Sequence, residues 1–577
     1  MKNEHMAGKD KPKGMRKGLT RYGDDAFALF LRKSFIKGAG YGDDALDRLV
    51  IGIADTRSDF NPCHGNSQEL IAQVRAGVLA AGGLPMAFPT ISLHESFAHP
   101  TSMYLRNLMA MDTEEMLKSL PVDAVVLVGG CDKTVPAQVM GALSANIPFV
   151  QLVTGPMSTG SFRGERVGAC TDCRRLWGDF RAGRLTEDKI SEANDALVPT
   201  VGTCGVMGTA STMALLVEAL GLAPLGSATA PAVSADRRRI AEQTGHLAVD
   251  IAKRHCHPAD ILTLASFENA LRVLLAVGGS TNAIIHLTAV AGRLGIKLSL
   301  DRLDELSKLT PVIVDLKPSG TGYMEDLHAA GGSVRILSAL SGSLDMQAMT
   351  VTGQTLGQEL SNIDIPDWPQ DIIRSLKQPI YQEGGLAVLY GNLAPQGAII
   401  KQAAASQHLL SYTGRAVVFA NMADLAARID SPDLDVSQDD ILVLRQIGPK
   451  GAPGMPEAGL IPIPKKLAKQ GVKDMVRISD GRMSGTAAGT IILHVAPESA
   501  VGGPLSLVRT GDQIQLDVVT RQLNMLVSDQ ELERRRAEQP VASSAELRGY
   551  EKLFYDHVLQ APDGVDFDFL KAKKDGH

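Results

Sequence analysis

Three cysteines that lie far apart in the chain constrain its fold more than any other feature. They occur in the motifs Asn61-Pro62-Cys63-His64, Gly130-Cys131-Asp132-Lys133-Thr134 and Thr203-Cys204-Gly205, so 68 and 73 positions separate them. Zinc ribbons and small ferredoxins place their ligands only a few residues apart on one loop. These three thiols can therefore share one site only if a large fold brings three separate loops together.

Three thiolates at one site would differ in chemistry from four. An iron–sulfur cluster normally takes four protein ligands, so a cluster held by three would leave one iron open to a substrate oxygen, as a Lewis acid. Each cysteine taken alone is more simply interpreted as a core residue, because free cysteine is among the most buried residue types. The residues that flank the three cysteines favour the shared site.

Composition limits the classes of protein to be considered. A chain of 577 residues is too long for one core, and 44% hydrophobic residues with 57 glycines indicate a globular α/β protein of two domains. The net charge of −6 and the aromatic fraction of 4% argue against a nucleic-acid partner, and no apolar run is long enough to cross a membrane. Residues 1–17 are basic without an apolar stretch, so no secretory signal is expected. The six cysteines are then expected to be free thiols in the reducing cytoplasm.

The first part of the chain alternates predicted strands and helices. Apolar runs at 49–54, 123–128 and 149–153 predict strands, and helices are expected over 66–83 and up to residue 145. Asn66 and Glu69 fit a capping box at the start of the first of these helices. The pattern predicts an α/β/α domain with a parallel sheet, whose ligands gather beyond the carboxyl ends of the strands. Cys63, Glu95 and Cys131 each follow a predicted strand, whereas Cys204 is expected to open a helix over 205–220.

The second part of the chain is predicted to be rich in β-structure. Short strands separated by glycine-rich loops are expected at 386–390, 416–419, 441–445 and 475–478, and 513–518 with 523–527 predicts a hairpin with one buried face. A barrel or a sandwich would accommodate them. Residues 340–384 are interpreted as a linker region, and the domains are placed at 1–375 and 376–577.

Two further motifs offer hard ligands or a reactive hydroxyl. A glycine- and proline-rich loop over 448–457 ends in Glu457, and Ser484 lies between small residues in Asp480-Gly481-Arg482-Met483-Ser484-Gly485-Thr486. Singly, Glu457 and Glu95 are best interpreted as surface carboxylates and Ser484 as a turn or cap residue. Asp132 and Lys133 directly follow Cys131, so that motif places a soft ligand beside a hard one.

These motifs together resemble the dihydroxy-acid dehydratase/6-phosphogluconate dehydratase family over nearly the whole chain. The resemblance rests on the motifs above together with Met-Gly-Thr-Ala-Ser-Thr-Met at 207–213, Gly-Gly-Ser-Thr-Asn at 278–282 and Gly-Met-Pro-Glu at 454–457. It implies a cluster held by Cys63, Cys131 and Cys204, [2Fe–2S] with [4Fe–4S] as the alternative. It also implies magnesium bound by Glu95, Asp132, Glu457 and a carbamylated Lys133, with Ser484 as the base and Thr486 close to the substrate.

Within that family the motifs look closest to the sugar-acid branch, which includes arabinonate- and xylonate-type enzymes. The resemblance then implies a hydro-lyase that removes water from a 2,3-dihydroxy acid to give a 2-keto-3-deoxy acid, in a homodimer or homotetramer. The dihydroxy-acid dehydratase of branched-chain amino-acid synthesis is the alternative, and an iron–sulfur redox protein is a more remote one.

Two cysteine patterns do not belong to the resemblance. Cys170-Thr171-Asp172-Cys173 is a C-x-x-C that could be a thiol–disulfide redox pair or half of a zinc site, but it is more simply a loop with two incidental thiols. Cys256 lies between two histidines without a partner motif and is expected to be structural.

Overall fold

The computed structural model describes residues 13–19, 22–538 and 547–572. Most of the basic segment 1–17 lies outside these residues. Within the described part of the chain, no helix is both long enough and apolar enough to cross a membrane.

The first domain is built on a parallel sheet, as predicted. Its strands are β1 Val50–Asp55, β2 Leu84–Pro89, β3 Ala124–Val128 and β4 Phe149–Leu152, in the order β2-β1-β3-β4. Every residue of β3 is buried, which explains why this strand is a continuous β-branched and apolar run in the sequence. Because all four strands point the same way, the loops after them meet at one edge of the sheet.

Helices and one short antiparallel pair of strands complete the first domain. The helices are α1 Asp25–Gly38, α2 Ser67–Ala80, α3 Arg106–Ser119, α4 Thr134–Ala145, α5 Thr171–Arg181, α6 Glu187–Ala196, α7 Thr209–Ala219, α8 Ala235–Arg254, α9 Leu264–Ala276, α10 Asn282–Gly292, α11 Leu300–Leu309, α12 Met324–Ala329, α13 Gly332–Leu340 and α14 Leu356–Ser361, and the pair is β5 Gly160–Phe162 with β6 Glu165–Val167. Helix α2 packs on α8, and α3 packs on α4. The first of these contacts requires glycine, since a Cβ atom added at Gly77 would lie 2.0 Å from the carbonyl oxygen of Glu242.

The second domain is a closed barrel rather than a sandwich. Its strands are β7 Ala387–Gly391, β8 Ala394–Ile400, β9 Ser411–Phe419, β10 Ile441–Leu444, β11 Arg477–Ser479, β12 Ile491–Leu493, β13 Gln513–Asp517 and β14 Gln522–Met525. The order β10-β11-β12-β8-β7-β14-β13-β9 closes because β9 pairs with β10. The predicted hairpin is β13 with β14, and alternate residues such as Ile514 and Leu516 face the barrel core. The second domain also contains helices α15 Met422–Arg428, α16 Lys465–Lys469 and α17 Asp529–Ala537. The last helix, α18 Gly549–His557, contacts Tyr104 of the first domain through Tyr550 and Phe554.

Three local predictions are wrong. Helix α7 begins at Thr209 rather than 205, because Gly208 has an extended backbone, so Cys204 lies in the loop before the helix. Asn66 does not cap α2; its side-chain amide instead donates hydrogen bonds to the carbonyls of Thr154 and Ala232. The supposed linker 340–384 contains α14 and packs on the core of the first domain through Leu344, Val351, Leu356, Leu360 and Ile373.

Candidate active site

Three loops of the first domain converge at the carboxyl edge of the parallel sheet. Cys63 lies in a short turn after β1, and Cys131 lies in the loop after β3. The hydroxyl of Thr154, after β4, donates to the Cys63 carbonyl at 2.8 Å. The loop of Cys204 is joined to the first of these, since the backbone N–H of Gly202 donates to the carbonyl of Pro62 at 3.2 Å. The fold therefore brings together the three motifs that the sequence separates.

His64 fixes the loop that contains Cys131. Its Nε2 accepts hydrogen bonds from the backbone N–H groups of Gly130 at 3.0 Å and Cys131 at 3.1 Å, and its Nδ1 lies 2.9 Å from the carbonyl oxygen of Thr56. This arrangement requires a neutral ring with the proton on Nδ1. Burial favours the same form, because it lowers the pKa of His64 to about 4. The sequence places His64 directly after Cys63, but its positioning role depends on a contact with Cys131, which lies 67 positions away.

The thiols form two groups, Cys63 with Cys131 and Cys170 with Cys173 and Cys204. The sulfurs of Cys63 and Cys131 and a ring nitrogen of His94 all lie within 4.8 Å of one another, and Cys131 with burial raises the pKa of the Cys63 thiol well above its ordinary value. The sulfur of Cys204 lies 3.7 Å from that of Cys170. The pKa of the Cys204 thiol is also raised, first by its hydrogen bond with Cys170 and then by burial. The C-x-x-C motif is therefore not remote from the predicted site.

Three of the four predicted metal ligands are carboxylates that surround the buried ammonium group of the fourth, Lys133. Lys133 Nζ lies 2.8 Å from a carboxylate oxygen of Glu95, 3.3 Å from Glu457 and 3.4 Å from Asp132, and the Lys133 side chain is fully buried. Glu95 and Asp132 come from the first domain, whereas Glu457 comes from the second. The structure thus brings together all four residues that the sequence singled out as hard ligands.

The charges of this group are not balanced within it. Burial alone would raise the pKa of Glu95, but the positive charges of Lys133 and Arg482 lower it well below its ordinary value. Burial raises the pKa of Asp132, and the negative charges of Glu457 and Glu95 raise it further. Burial opposes the charge on Lys133, yet Glu95 and Glu457 raise its pKa above the ordinary value. A site with this excess of carboxylate charge favours a further cation.

Arg482 and Asn282 hold Glu457 in place, and neither had an assigned role in the sequence. Arg482 Nη1 donates to Glu457 at 2.9 Å, and its Nε donates to the Met455 carbonyl at 2.6 Å. The amide of Asn282 lies 3.3 Å from Glu457 and 3.2 Å from the Met483 carbonyl. Both side chains are fully buried. Their presence in two of the resembling motifs was the available signal, but the contacts themselves are long-range.

The loop over 448–457 brings Glu457 across to the first domain. Gly454 has a φ of +83°, and a Cβ atom there would lie 2.5 Å from the backbone nitrogen of Tyr104. The carboxylate of Glu498 accepts hydrogen bonds from the backbone N–H groups of Lys450 and Gly451. The glycine therefore permits a close backbone contact between the domains, while Glu498 fixes the start of the loop.

The Ser484 hydroxyl lies in a turn after β11, as the sequence indicated. Its oxygen is 2.8 Å from the Thr486 hydroxyl oxygen, and the Thr486 N–H points to it at 3.4 Å. This turn abuts the Cys204 loop, since a Cβ atom at Gly208 would lie 2.8 Å from Thr486 Cγ2. It also contacts the C-x-x-C segment, because the Thr171 hydroxyl donates to the Thr486 carbonyl at 2.9 Å.

A cleft opens beside this turn. It has a volume of about 560 Å³, and its walls include Thr171, Thr486, Arg174 and Arg175. Arg175 is ion-paired with Glu165 and Asp172. A cleft of this size accommodates a small organic molecule, and its cationic wall favours an anionic one.

Comparisons with known proteins agree over almost the whole chain. Residues 48–359 match the family model for the dihydroxy-acid/6-phosphogluconate dehydratase N-terminal domain, and residues 371–565 match the C-terminal one. The chain is 45% identical to an L-arabinonate dehydratase of Rhizobium leguminosarum, over 96% of this chain and 95% of the relative. It is 44% identical to a 6-deoxy-6-sulfo-D-gluconate dehydratase of Pseudomonas putida, over 96% of both chains. Identity to a dihydroxy-acid dehydratase of Clostridium botulinum is 35%, over 92% of this chain and 97% of the relative.

Proposed function

The chain belongs to the dihydroxy-acid/6-phosphogluconate dehydratase family, and from this premise we propose that it dehydrates a sugar acid with hydroxyl groups on C2 and C3. The product would be the 2-keto-3-deoxy acid. The observation that carries this proposal is the meeting of Glu457 from the barrel domain with Glu95 and Asp132 at the edge of the parallel sheet. Such a set of partly buried carboxylates, next to a group of thiols, suits a substrate with several oxygen atoms.

The thiols fit an iron–sulfur cluster as their resident group. Cys63, Cys131 and Cys204 would hold it, and thiolates are the usual ligands of such clusters. We favour [2Fe–2S], with [4Fe–4S] as the alternative. The carboxylates fit magnesium, a hard ion that prefers oxygen ligands, and carbamylation of Lys133 would replace its positive charge by a further oxygen ligand. When bound, the two groups supply Lewis-acid positions for substrate oxygen atoms.

Ser484 is proposed as the base that removes the C2 proton. As the alkoxide, Ser484 takes the C2 proton while the C3–O bond breaks, and it returns that proton to the leaving hydroxide, which becomes water. The resulting enol gains a proton at C3 and loses the proton of its 2-OH to give the 2-keto acid, so the balance is the loss of one water. The hydroxyl and N–H of Thr486 both face the Ser484 oxygen, where they stabilise the deprotonated form.

The substrate is proposed to be a sugar acid rather than a branched-chain dihydroxy acid. Relatives named for sugar acids are 44–45% identical to this chain, against 35–37% for the dihydroxy-acid dehydratases. Arg174 on the wall of the cleft would favour the anionic substrate. We further propose that the enzyme is a cytoplasmic homodimer or homotetramer with the domain boundary near residues 375–376.

A substrate panel tests this proposal. The holoenzyme, prepared without oxygen and supplied with magnesium, is incubated with arabinonate, xylonate, gluconate, glycerate and 2,3-dihydroxyisovalerate, and the keto acid is measured. We expect turnover of at least one five- or six-carbon sugar acid in preference to 2,3-dihydroxyisovalerate. The reverse preference would support the branched-chain alternative, and no keto acid from any of them would contradict the dehydratase proposal.

A further inference from the structure

A lysine of the barrel domain is buried against the turn that carries Ser484 (residues 480–486, the Ser484 turn). Lys401 directly follows β8 and is fully buried. Among the residues that the structure describes, no carboxylate forms an ion pair with it, and burial lowers the pKa of its ammonium group to about 7. Because removing an isolated charge from water is costly, a lysine in this position requires a functional explanation.

The ammonium group of Lys401 contacts the Ser484 turn at the Gly485 carbonyl. Lys401 Nζ donates a hydrogen bond to this carbonyl oxygen at 3.3 Å, although the two residues are 84 positions apart. The backbone that follows Lys401 is bonded to the same loop, because the N–H of Gly489 donates to the carbonyl of Ala404 at 2.8 Å. The position of the lysine is therefore fixed by the packing of the segment after β8 on the loop after β11.

The peptide unit that Lys401 contacts also faces the oxygen of the proposed base. It consists of the Gly485 carbonyl and the Thr486 N–H, and this N–H points to the Ser484 oxygen at 3.4 Å. A positive charge at the carbonyl end polarises a peptide unit and makes its N–H a stronger hydrogen-bond donor. Charged Lys401 would therefore strengthen the hydrogen bond from Thr486 to deprotonated Ser484, and it would add its own Coulomb attraction.

Neighbouring carbonyls of the same turn show that a neutral donor is enough to anchor it. The side-chain amide of Asn282 donates to the Met483 carbonyl at 3.2 Å, and the Thr171 hydroxyl donates to the Thr486 carbonyl at 2.9 Å. Of these three carbonyls, that of Gly485 alone accepts from an ammonium group. Anchoring the turn therefore does not explain why this donor is charged, whereas an effect on the proposed base does.

We propose that Lys401 is a positioning residue for the dehydration, whose positive charge stabilises deprotonated Ser484 through the peptide unit between Gly485 and Thr486. This inference rests on the role of Ser484 as the base in the proposed function. In this role Lys401 transfers no proton and does not bind the substrate. Because an unassisted serine is protonated at neutral pH, a charge that favours the alkoxide raises the fraction of enzyme able to react. The effect therefore falls on kcat and leaves KM nearly unchanged.

A graded series of substitutions tests the charge of Lys401 apart from its hydrogen bond. Lys401→Arg keeps a charged donor, Lys401→Gln keeps a neutral donor, and Lys401→Met keeps neither. Iron content and unfolding temperature are measured first, with Lys297→Met, at an exposed lysine, as the control. The glutamine and methionine variants should each lower kcat at least about 10-fold with little change in KM, and arginine should restore most of the rate. A wild-type kcat in the glutamine variant would mean that Lys401 only anchors the turn and would overturn the proposal.

A double-mutant cycle with Ser484→Ala shows whether Lys401 acts through the proposed base. Without the Ser484 oxygen the charge has no anion to stabilise, so Lys401→Met should cost little further rate in the Ser484→Ala background. Turnover and exchange of the C2 proton are followed over hours at high enzyme concentration. Losses that multiply would show that Lys401 acts independently of Ser484, and they would overturn this inference while leaving the proposed function intact. Near wild-type rates in Ser484→Ala alone would overturn the role of Ser484 and this inference with it.

Discussion

The thiol cluster (Cys63, Cys131, Cys170 and Cys204) and the carboxylate cluster (Glu95, Asp132 and Glu457) are neighbours but are assembled differently. All thiols come from loops of the first domain, so this cluster needs only the parallel sheet and the segments that follow it. The carboxylate cluster needs both domains, since the barrel supplies Glu457 and its partner Arg482. A change in the barrel should therefore affect the carboxylate cluster and the proposed catalytic reaction, and it should leave the thiol cluster intact.

The largest expected effect comes from Ser484→Ala. The variant removes one oxygen from a barrel-domain turn, so folding, iron content and magnesium binding should persist. Because general-base catalysis contributes about 10²–10⁴-fold, kcat should fall at least that far with little change in KM. Turnover and exchange of the C2 proton with deuterated solvent are measured together, with Ser361→Ala, an exposed helix serine, as the control. Near wild-type exchange in Ser484→Ala would place the base elsewhere, and His94 would be tested next.

The second prediction concerns the acid sensitivity of the thiol cluster. His64 must be neutral to accept the N–H groups of Gly130 and Cys131, and burial lowers its pKa from 6.5 to about 4. As the pH falls, the unfolded chain therefore binds the proton first. The stability that depends on neutral His64 is fully present above pH 6.5 and is lost progressively down to about pH 4. The loss amounts to ~3 kcal/mol.

Unfolding temperatures measured between pH 7 and pH 4 test this prediction. His64→Gln should show a smaller decrease than the wild type over this range, even if it is less stable at pH 7. His408→Gln removes an exposed histidine and should keep the wild-type pH dependence. Equal pH dependence in wild type and His64→Gln would contradict the role assigned to His64.

The sequence predicted the parts of these clusters that depend on local pattern. The apolar runs of β1 and β3 predicted where the loops of Cys63 and Cys131 begin. The glycines and prolines of 448–457 predicted a loop that ends in Glu457. Strand β8 was missed, because Pro395 and Gly397 oppose a strand prediction and are tolerated only in the folded barrel.

Contacts between distant segments could not be predicted in the same way. Arg482 and Asn282 are buried polar residues whose partners are fixed by the packing of the two domains. Cys170 looked incidental for the same reason, since only the fold places it beside Cys204. Asn66 had a plausible local partner and uses two distant carbonyls instead, so tertiary contacts overrode the local signal.

Glu457→Gln should disturb the carboxylate cluster without disturbing the thiol cluster. It neutralises the carboxylate that the barrel contributes to the proposed magnesium site, so the magnesium concentration needed for half-maximal activity should rise at least about 10-fold. Iron content and visible absorption should stay at wild-type values, and EDTA should abolish activity without bleaching either protein. Glu533→Gln, an exposed barrel-domain carboxylate, is the matched control. Loss of iron from Glu457→Gln with an unchanged magnesium requirement would contradict the division into two independently assembled clusters.

The smallest effect is expected at Thr486, where the barrel turn meets the loops of the thiol cluster. Its hydroxyl oxygen is 2.8 Å from that of Ser484, and a hydrogen bond to a charged oxygen contributes ~1.5 kcal/mol, which corresponds to about 10-fold in rate. Thr486→Val should therefore lower kcat about 10-fold, while Thr486→Ser, which keeps the hydroxyl, should restore most of it. Iron content should stay unchanged in both variants, because the contact of Thr486 with Gly208 is made by a methyl group that valine retains. Equal losses in the valine and serine variants would mean that Thr486 acts through packing against the Cys204 loop and not through its hydrogen bond to Ser484.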